Sequence, residues 1–413
     1  MSKQFLLFIA GAAAAAMICS CAGFSFGKHP GPVTYFVKAD GSDRNDGLSE
    51  DKPFRSLFKA MAAAMKAKNQ VKTITVIGTL DINSEQSSNR ERVFLVQGMG
   101  NIPVLIRGKS SDADPAVLSA AESGRRVVMV KGTVPVRFED IEISGGVSSG
   151  EGGGGLVIGP GSTVTLGPGA VIRGNQSNGI GGGALVAFGG SFFIDGGKII
   201  DNRSAASGGG VAVAGQNSVL AVLNGEISGN HAQGGGGAAV YQGGHLTLSG
   251  RGVINGNTAD LAGGGVMVNQ SGEFTMKGGL IRDNQSSGSG GGVALMEQSA
   301  FVMEDGEIQG NRAAEHGGGI AADHTGVITL RGGFISANRA ETWGGGVFTA
   351  GAFVKSAGKI YGSDMPKDAA NVAASGAAVF VYRDGLRKIR DISAGDDLVL
   401  DAAVDDGWNL TEN

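Results

Sequence analysis

Only two cysteines occur in 413 residues, Cys19 and Cys21, and both lie close to the start of the chain. A disulfide framework in the body and a zinc site built from several cysteines are therefore excluded. Charged side chains make up only 17% and aromatics 6%, and the net charge of −4 comes with no basic block. A nucleic-acid partner, which needs a basic footprint, is not expected. The shortage of charge does not mean disorder, because hydrophobic residues still account for 41%.

What fills the chain instead is glycine, 75 residues, against a usual share of about 7%. The glycines are not scattered. The last glycine of each triplet that precedes an aliphatic stretch falls at Gly155, Gly183, Gly210, Gly237, Gly265, Gly292, Gly319 and Gly346, always 27 or 28 positions apart. A second marker keeps the same step: Asn175, Asn202, Asn230, Asn257, Asn284, Asn311 and Asn338 each follow an isoleucine by three. An eighth unit reaches Ile360, with Ser363 where the asparagine should stand.

Within a unit the apolar residues alternate with period two, as in Val266 and Val268, then Phe274 and Met276. That pattern specifies strands. No two-residue hairpin signal joins them, and every unit repeats one order. The spacing predicts three short strands per unit, the third carrying the isoleucine and turning at the asparagine. Each coil then stacks in parallel on the next. The fold class is all-β: a right-handed parallel β-helix, a three-sided solenoid of ~27-residue coils. The leucine-rich repeat shares the period but needs L-x-x-L-x-L-x-x-N, and the calcium-binding nonapeptide needs aspartates; neither pattern is present. In a stacked array the asparagines fall into one column, where each amide can bond the next.

The first residues suggest a compartment. Lys3 precedes the apolar run Phe5–Ile18, which is short for a membrane span and reads as a signal peptide over 1–20. Ile18-Cys19-Ser20-Cys21 resembles a relaxed bacterial lipobox, which implies cleavage before Cys21 and acylation of its thiol. The chain is then expected on the bacterial outer membrane through an N-terminal lipid, facing either the surface or the periplasm. Residues 21–33 form a tether, 34–69 a strand and a helix that caps the open end, and 70–154 irregular coils. Regular coils occupy 155–365, and closing strands with a tail occupy 366–413. The helix is expected to bury Phe54, Leu57, Phe58, Met61 and Met65.

The opening "YFVKADGSDRNDGLSEDKPFRSLFKAM" resembles the start of many bacterial right-handed parallel β-helix repeat proteins. The glycine-triplet and I-x-x-N pairs resemble the GGA[IL] and F-x-x-N repeats of chlamydial-type polymorphic outer membrane proteins. Over about residues 34–400 the chain is similar to treponemal lipoproteins that carry such repeats. The resemblance implies an adhesin-like envelope protein, with host or envelope glycans or proteins as partners.

Parallel β-helices also carry polysaccharide lyases and glycoside hydrolases, so a carbohydrate-active enzyme working in a groove is the alternative. Its acid–base series is missing: neither the N-T-D, D-D, G-H-G and R-I-K set of polygalacturonases nor the R-x-P-x-x-R of pectate lyases occurs. No catalytic residue, cofactor or resident metal is assigned. The best polar pair is Glu297 and His324, predicted one coil apart on the turn after the first strand. His316 and Trp343 are likewise predicted to be neighbours, as a sugar-stacking spot or as local packing. Asp40, Asp43, Asn45 and Asp46 gather oxygen ligands that suit calcium but equally suit plain turns. Lys277, Glu304 and Arg331 align as a charge ladder. Val157, Leu185, Ala212, Ala239, Met267, Ala294, Ala321 and Phe348 point outward yet are all apolar, either an association strip or a face covered by turns.

Overall fold

The computed structural model describes residues 31–67, 70–82, 93–109, 115–121 and 124–382, with the strands Leu398–Leu400 and Trp408–Leu410. Segment 1–30, with Cys19 and Cys21, lies outside the described residues. Among the described residues the strands form sheets of 20, 12 and 8 members. Along the repeat every pairing is parallel and joins equivalent positions of successive coils. Val266–Val268, for instance, lies between Ala238–Tyr241 and Val293–Leu295. The chain is an all-β parallel solenoid.

The coil that begins at Gly208 shows the plan. Val211–Ala214 belongs to the 12-stranded sheet, Val219–Val222 and Glu226–Ser228 to the 20-stranded sheet, and His231–Gly234 to the 8-stranded sheet. The isoleucine strand therefore does not form the third side, as its spacing suggests. It continues the second side beyond a bend. In later coils the two merge into one bent strand such as Glu273–Arg282, which turns at Gly278 and Gly279. The third side is a strand after the asparagine, only two residues long in six of the eight described cases, as in Gln285–Ser286, and longer in His231–Gly234 and Thr258–Ala262. Two residues cannot show a period of two. Their inward members are small and buried, Ser204, Ala232, Ala259 and Ser286, so no bulky hydrophobe marks the strand in the sequence.

Inward side chains stack by position, large apolar on large apolar. Leu246, Phe274, Phe301, Ile328 and Phe353 form one buried file. The rings of Phe274 and Phe301 lie 4.8 Å apart. Each side chain fills the space beneath its equivalent, which is how a chain poor in aromatics keeps a continuous core.

Both ends are closed. At the first, the helix Leu57–Lys66 buries Leu57, Ala60, Met61 and Ala64. Phe58, expected on that face, points to solvent at 45% exposure; it follows Leu57 in sequence but lies about 100° away around the helix, outside the stripe set by Leu57, Ala60, Met61 and Ala64. Phe54 is buried ahead of the helix, on a bridge to Val37. The outer edge of Val33–Lys38 is covered by its own loop, through bonds from Phe36 N to Gly47 O and from Phe54 N to Phe36 O. At the other end Leu398–Leu400 and Trp408–Leu410 run antiparallel to Val379–Val381 and Ala352–Ile360. The sequence suggested a strand at the first of these and left the second unplaced. Lys355 stands in the core file after Leu330, buried, with its Nζ donating to Gly358 O at 2.7 Å. A charge in the last rung and reversed strands beyond it make a poor template for a further parallel coil.

The asparagine column is complete. Each amide nitrogen donates to Oδ1 of the next asparagine at 2.9–3.0 Å, from Asn175 through to Asn338. It also donates to the carbonyl of the isoleucine one coil back, as Asn257 does to Ile227 at 3.0 Å. From Asn202 on, each Oδ1 accepts in addition the backbone N–H of the preceding asparagine, Asn230 N to Asn257 Oδ1 at 2.9 Å, while Asn175 Oδ1 accepts from Gly146 N. The file does not stop at Asn338. Its next member is Asn371 and not Ser363, because residues 361–370 make a detour before the corner is reached.

Candidate functional site

The turn after the first strand is where successive coils bring polar groups to one line. Its register follows from the strands that feed it: Ala187, Ala214 and Tyr241 pair in sequence, as do Val240, Val268, Leu295 and Ala322. Counting on from these places Phe188, Gly215, Gln242, Gln270, Glu297 and His324 at one turn position on successive rungs, which lie ~4.8 Å apart in a parallel stack. Glu297 and His324 are thus neighbours, as their spacing predicts. All members but the glycine are exposed. Among the described residues no hydrogen bond joins the Glu297 carboxylate to the His324 ring.

Glu297, His324, Gln242 and Gln270 line an open depression of about 520 Å³ with Ser271, Gln298, Asp323 and Thr325. Asp323, which the sequence did not single out, organises its floor. Oδ1 accepts from Thr325 N, Thr325 Oγ1 and Gly326 N at 2.7–2.9 Å, and Oδ2 accepts from Glu297 N at 3.0 Å. Burial opposes its charge, but these donors outweigh burial and hold the carboxyl below the usual range. It stays ionised and tied to its own turn.

The backbone of this line is unusual. Phe188, Gln242, Gln270 and Glu297 have φ of +41°, +52°, +50° and +48°. The left-handed region is uncommon for residues with a side chain and disfavours bulky ones. Phe188 is also 67% exposed. It had no signal of its own in the sequence; only alignment of the turn positions could have found it.

His316 and Trp343 do meet. They lie in the column that precedes each triplet, joined by a parallel bridge, with rings 4.6 Å apart and 7° from parallel. Trp343 in turn stacks on Phe380 of the following coil at 5.0 Å and 10°. Its neighbours come from the rung before and the rung after, so both ring faces are engaged. The arrangement packs the end of the solenoid and leaves no Trp343 face for a sugar. Burial lowers the His316 pKa, against an upward pull from Glu315.

The outward apolar strip is covered. Val157, Leu185, Ala212, Ala239, Met267, Ala294 and Ala321 are at most 8% exposed, and Phe348 is half-buried. The chain returning to each triplet folds across them. At Gly317, in the left-handed region at φ +63°, an added Cβ would lie 2.7 Å from the Cβ of Ala321. The strip is therefore an inner layer and not an association surface.

Two further groups resolve as structural. Asp43 Oδ1 accepts from the amides of Arg55 and Ser56, and its Oδ2 from Ser56 Oγ, so it braces the helix N-cap. Asp46 accepts from Leu48 N, and Asn45 donates to Pro53 O. Among the described residues no group of three or more His, Cys, Asp or Glu is placed to hold a metal ion. The charge ladder is out of register, because a bulge at the bend sets Lys277 opposite Asp305 and Arg331 opposite Ala357. That bend holds an open groove of about 700 Å³, floored by glycines and edged by Lys277, Asp305, Glu307 and Phe334.

Residues 154–335 match the family described as the right-handed β-helix region. The matched span coincides with the glycine-triplet coils and gives the solenoid its hand. No curated protein matches the chain.

Proposed function

We propose that this protein is a lipid-anchored component of a bacterial cell envelope that binds a ligand on its turn face without transforming it. One observation carries the reading: a line of exposed polar side chains on successive turns, held outward by a scaffold whose buried asparagine column is satisfied internally. A general acid or base must lie within hydrogen-bond reach of the proton it moves and be free to exchange it. Here the ionised Asp323 is bound to its own turn, and among the described residues no hydrogen bond joins the Glu297 carboxylate to the His324 ring. The anchor rests on the sequence around Cys21, and the adhesin-like role on the likeness of the repeats to those of polymorphic outer membrane proteins.

Protease added to intact cells tests display: cleavage only after the envelope is opened would refute a surface-exposed adhesin. Acyl labelling should vanish in Cys21→Ser, and labelling that persists would remove the anchor. Release of reducing or unsaturated ends from polysaccharides, lost in Glu297→Ala, would replace binding with catalysis.

A further inference from the structure

Phe188 opens the turn line in a way the fold does not require. Its backbone lies in the left-handed region at φ +41°, and the ring is 67% exposed, so strain is accepted with little burial in return. The next rung has glycine at the same position, Gly215, with φ +95°. The fold is therefore satisfied there by a residue with no side chain. Gly215 has a second effect: an added Cβ would sit 2.9 Å from Cδ1 of Phe188. The absent side chain leaves room for the ring to lie against the following rung. Strain kept without a packing gain is the mark of a functional position.

We infer that Phe188, Gln242, Gln270 and Glu297 form a track for a linear neutral polysaccharide running along the solenoid axis, with Phe188 as its stacking platform. This rests on the binding reading above. An exposed aromatic face takes the apolar C–H face of a pyranose ring. Side-chain amides donate to and accept from hydroxyl pairs, and a carboxylate accepts from them, one group per rung, and a polymer with a repeating unit matches a scaffold with a repeating side chain. The charge decides against an acidic glycan: Glu297 and the ionised Asp323 line the depression, and the lining contains no lysine or arginine. A peptide would require a free strand edge or deep side-chain pockets, whereas the rungs beneath this line already pair with each other.

Affinity electrophoresis and calorimetry of the mature protein with oligomers of glucose, xylose and N-acetylglucosamine, beside polygalacturonate, test the track. At least one neutral series should bind, with affinity rising with chain length. Phe188→Gly should weaken it tenfold or more while the melting temperature stays or rises, because glycine relieves the left-handed position. Gln270→Gly should act in the same direction. Unchanged affinity in Phe188→Gly, or binding to polygalacturonate alone, would overturn the track while leaving a binding protein. Failure to bind any glycan would overturn it as well, and binding of an envelope protein undisturbed by Phe188→Gly would show that the broader reading survives without it.

Discussion

The side-chain amide of Asn338 donates to Oδ1 of Asn371 at 3.0 Å, across 33 positions where every earlier step of the column takes 27 or 28. The detour between them changes the length of the coil but not the geometry of its corner. The amide of Asn371 also reaches Ile335 O at 2.9 Å and Tyr361 O at 2.6 Å, so the last member is as fully bonded as the others. The column, more than the count of residues, sets where one coil ends.

Removing one rung should be costly. Asn284→Ala leaves Asn257 N–H without an acceptor and Asn257 Nδ2 with Ile227 O alone, and Ile254 O and Asn311 Oδ1 short of a donor. Buried polar groups left unpaired cost about 1–3 kcal/mol each, so the variant should lose more than about 3 kcal/mol. Urea unfolding followed by circular dichroism measures it. A loss below about 1 kcal/mol would mean that the coils hold together without the column.

A smaller and opposite effect is expected one residue before the asparagine. That position is left-handed in coil after coil, at Gly229, Gly256 and Gly310, but at Ala337 with φ +54° an alanine occupies it. The left-handed region costs a residue with a Cβ about 1–2 kcal/mol, offset in part by the extra freedom glycine gives the unfolded chain. Ala337→Gly should therefore raise stability by about 0.5–1 kcal/mol. Gly256→Ala meets no atom within 4 Å and should lower it by a similar amount, through backbone conformation alone. Thermal melts of the pair should move in opposite directions.

The solenoid was legible because its two markers are geometric necessities that recur. A triplet glycine such as Gly265 has no room for a Cβ, which would fall 2.7 Å from Gly292 O, and the asparagine has no substitute with both a donor and an acceptor at that length. The third side was hidden because Gln285–Ser286 and its equivalents carry no bulky inward residue. The covered strip misled for a related reason. Alternation tells which residues leave the core, but not that the next segment of chain folds over them. Register alone brings His316 onto Trp343 and sets Glu297 one coil from His324, while the roles of Asp323 and Phe188 depend on backbone angles and hydrogen bonds that no single-residue pattern encodes.

Acid should loosen the turn face before the core. Asp323 has a folded pKa held below its unfolded value by its hydrogen-bond donors, against burial. Its stabilising contribution is present above the ordinary aspartate value, near 3.9, and is lost as pH falls through the lower folded value. Hydrogen exchange at the amides of Glu297, Thr325 and Gly326 should accelerate in that acid window relative to the core strand Ile320–Ala322. Asp323→Asn should exchange faster at neutral pH and show no further acid step. An acid step that survives in Asp323→Asn would assign it to another group.

The aromatic end gives a titration in a different window. Burial of His316 lowers its folded pKa below the ordinary value near 6.5. Between the two values the unfolded chain binds a proton that the folded chain does not, so stability rises with pH through that interval. The contribution is whole above about 6.5 and is lost as pH falls through the folded value. Trp343 reports on it directly, because its ring stacks 4.6 Å from the imidazole. In a Trp408→Phe background, leaving Trp343 as the sole tryptophan, fluorescence-detected melting should drop between pH 7.5 and 5.5, and His316→Gln should flatten the slope. Trp343→Ala should cost about 3 kcal/mol, near the low end for a large aromatic because the ring is only half-buried. Equal slopes with and without the imidazole would mean that another histidine governs this end, and the stack would then be a packing contact insensitive to charge.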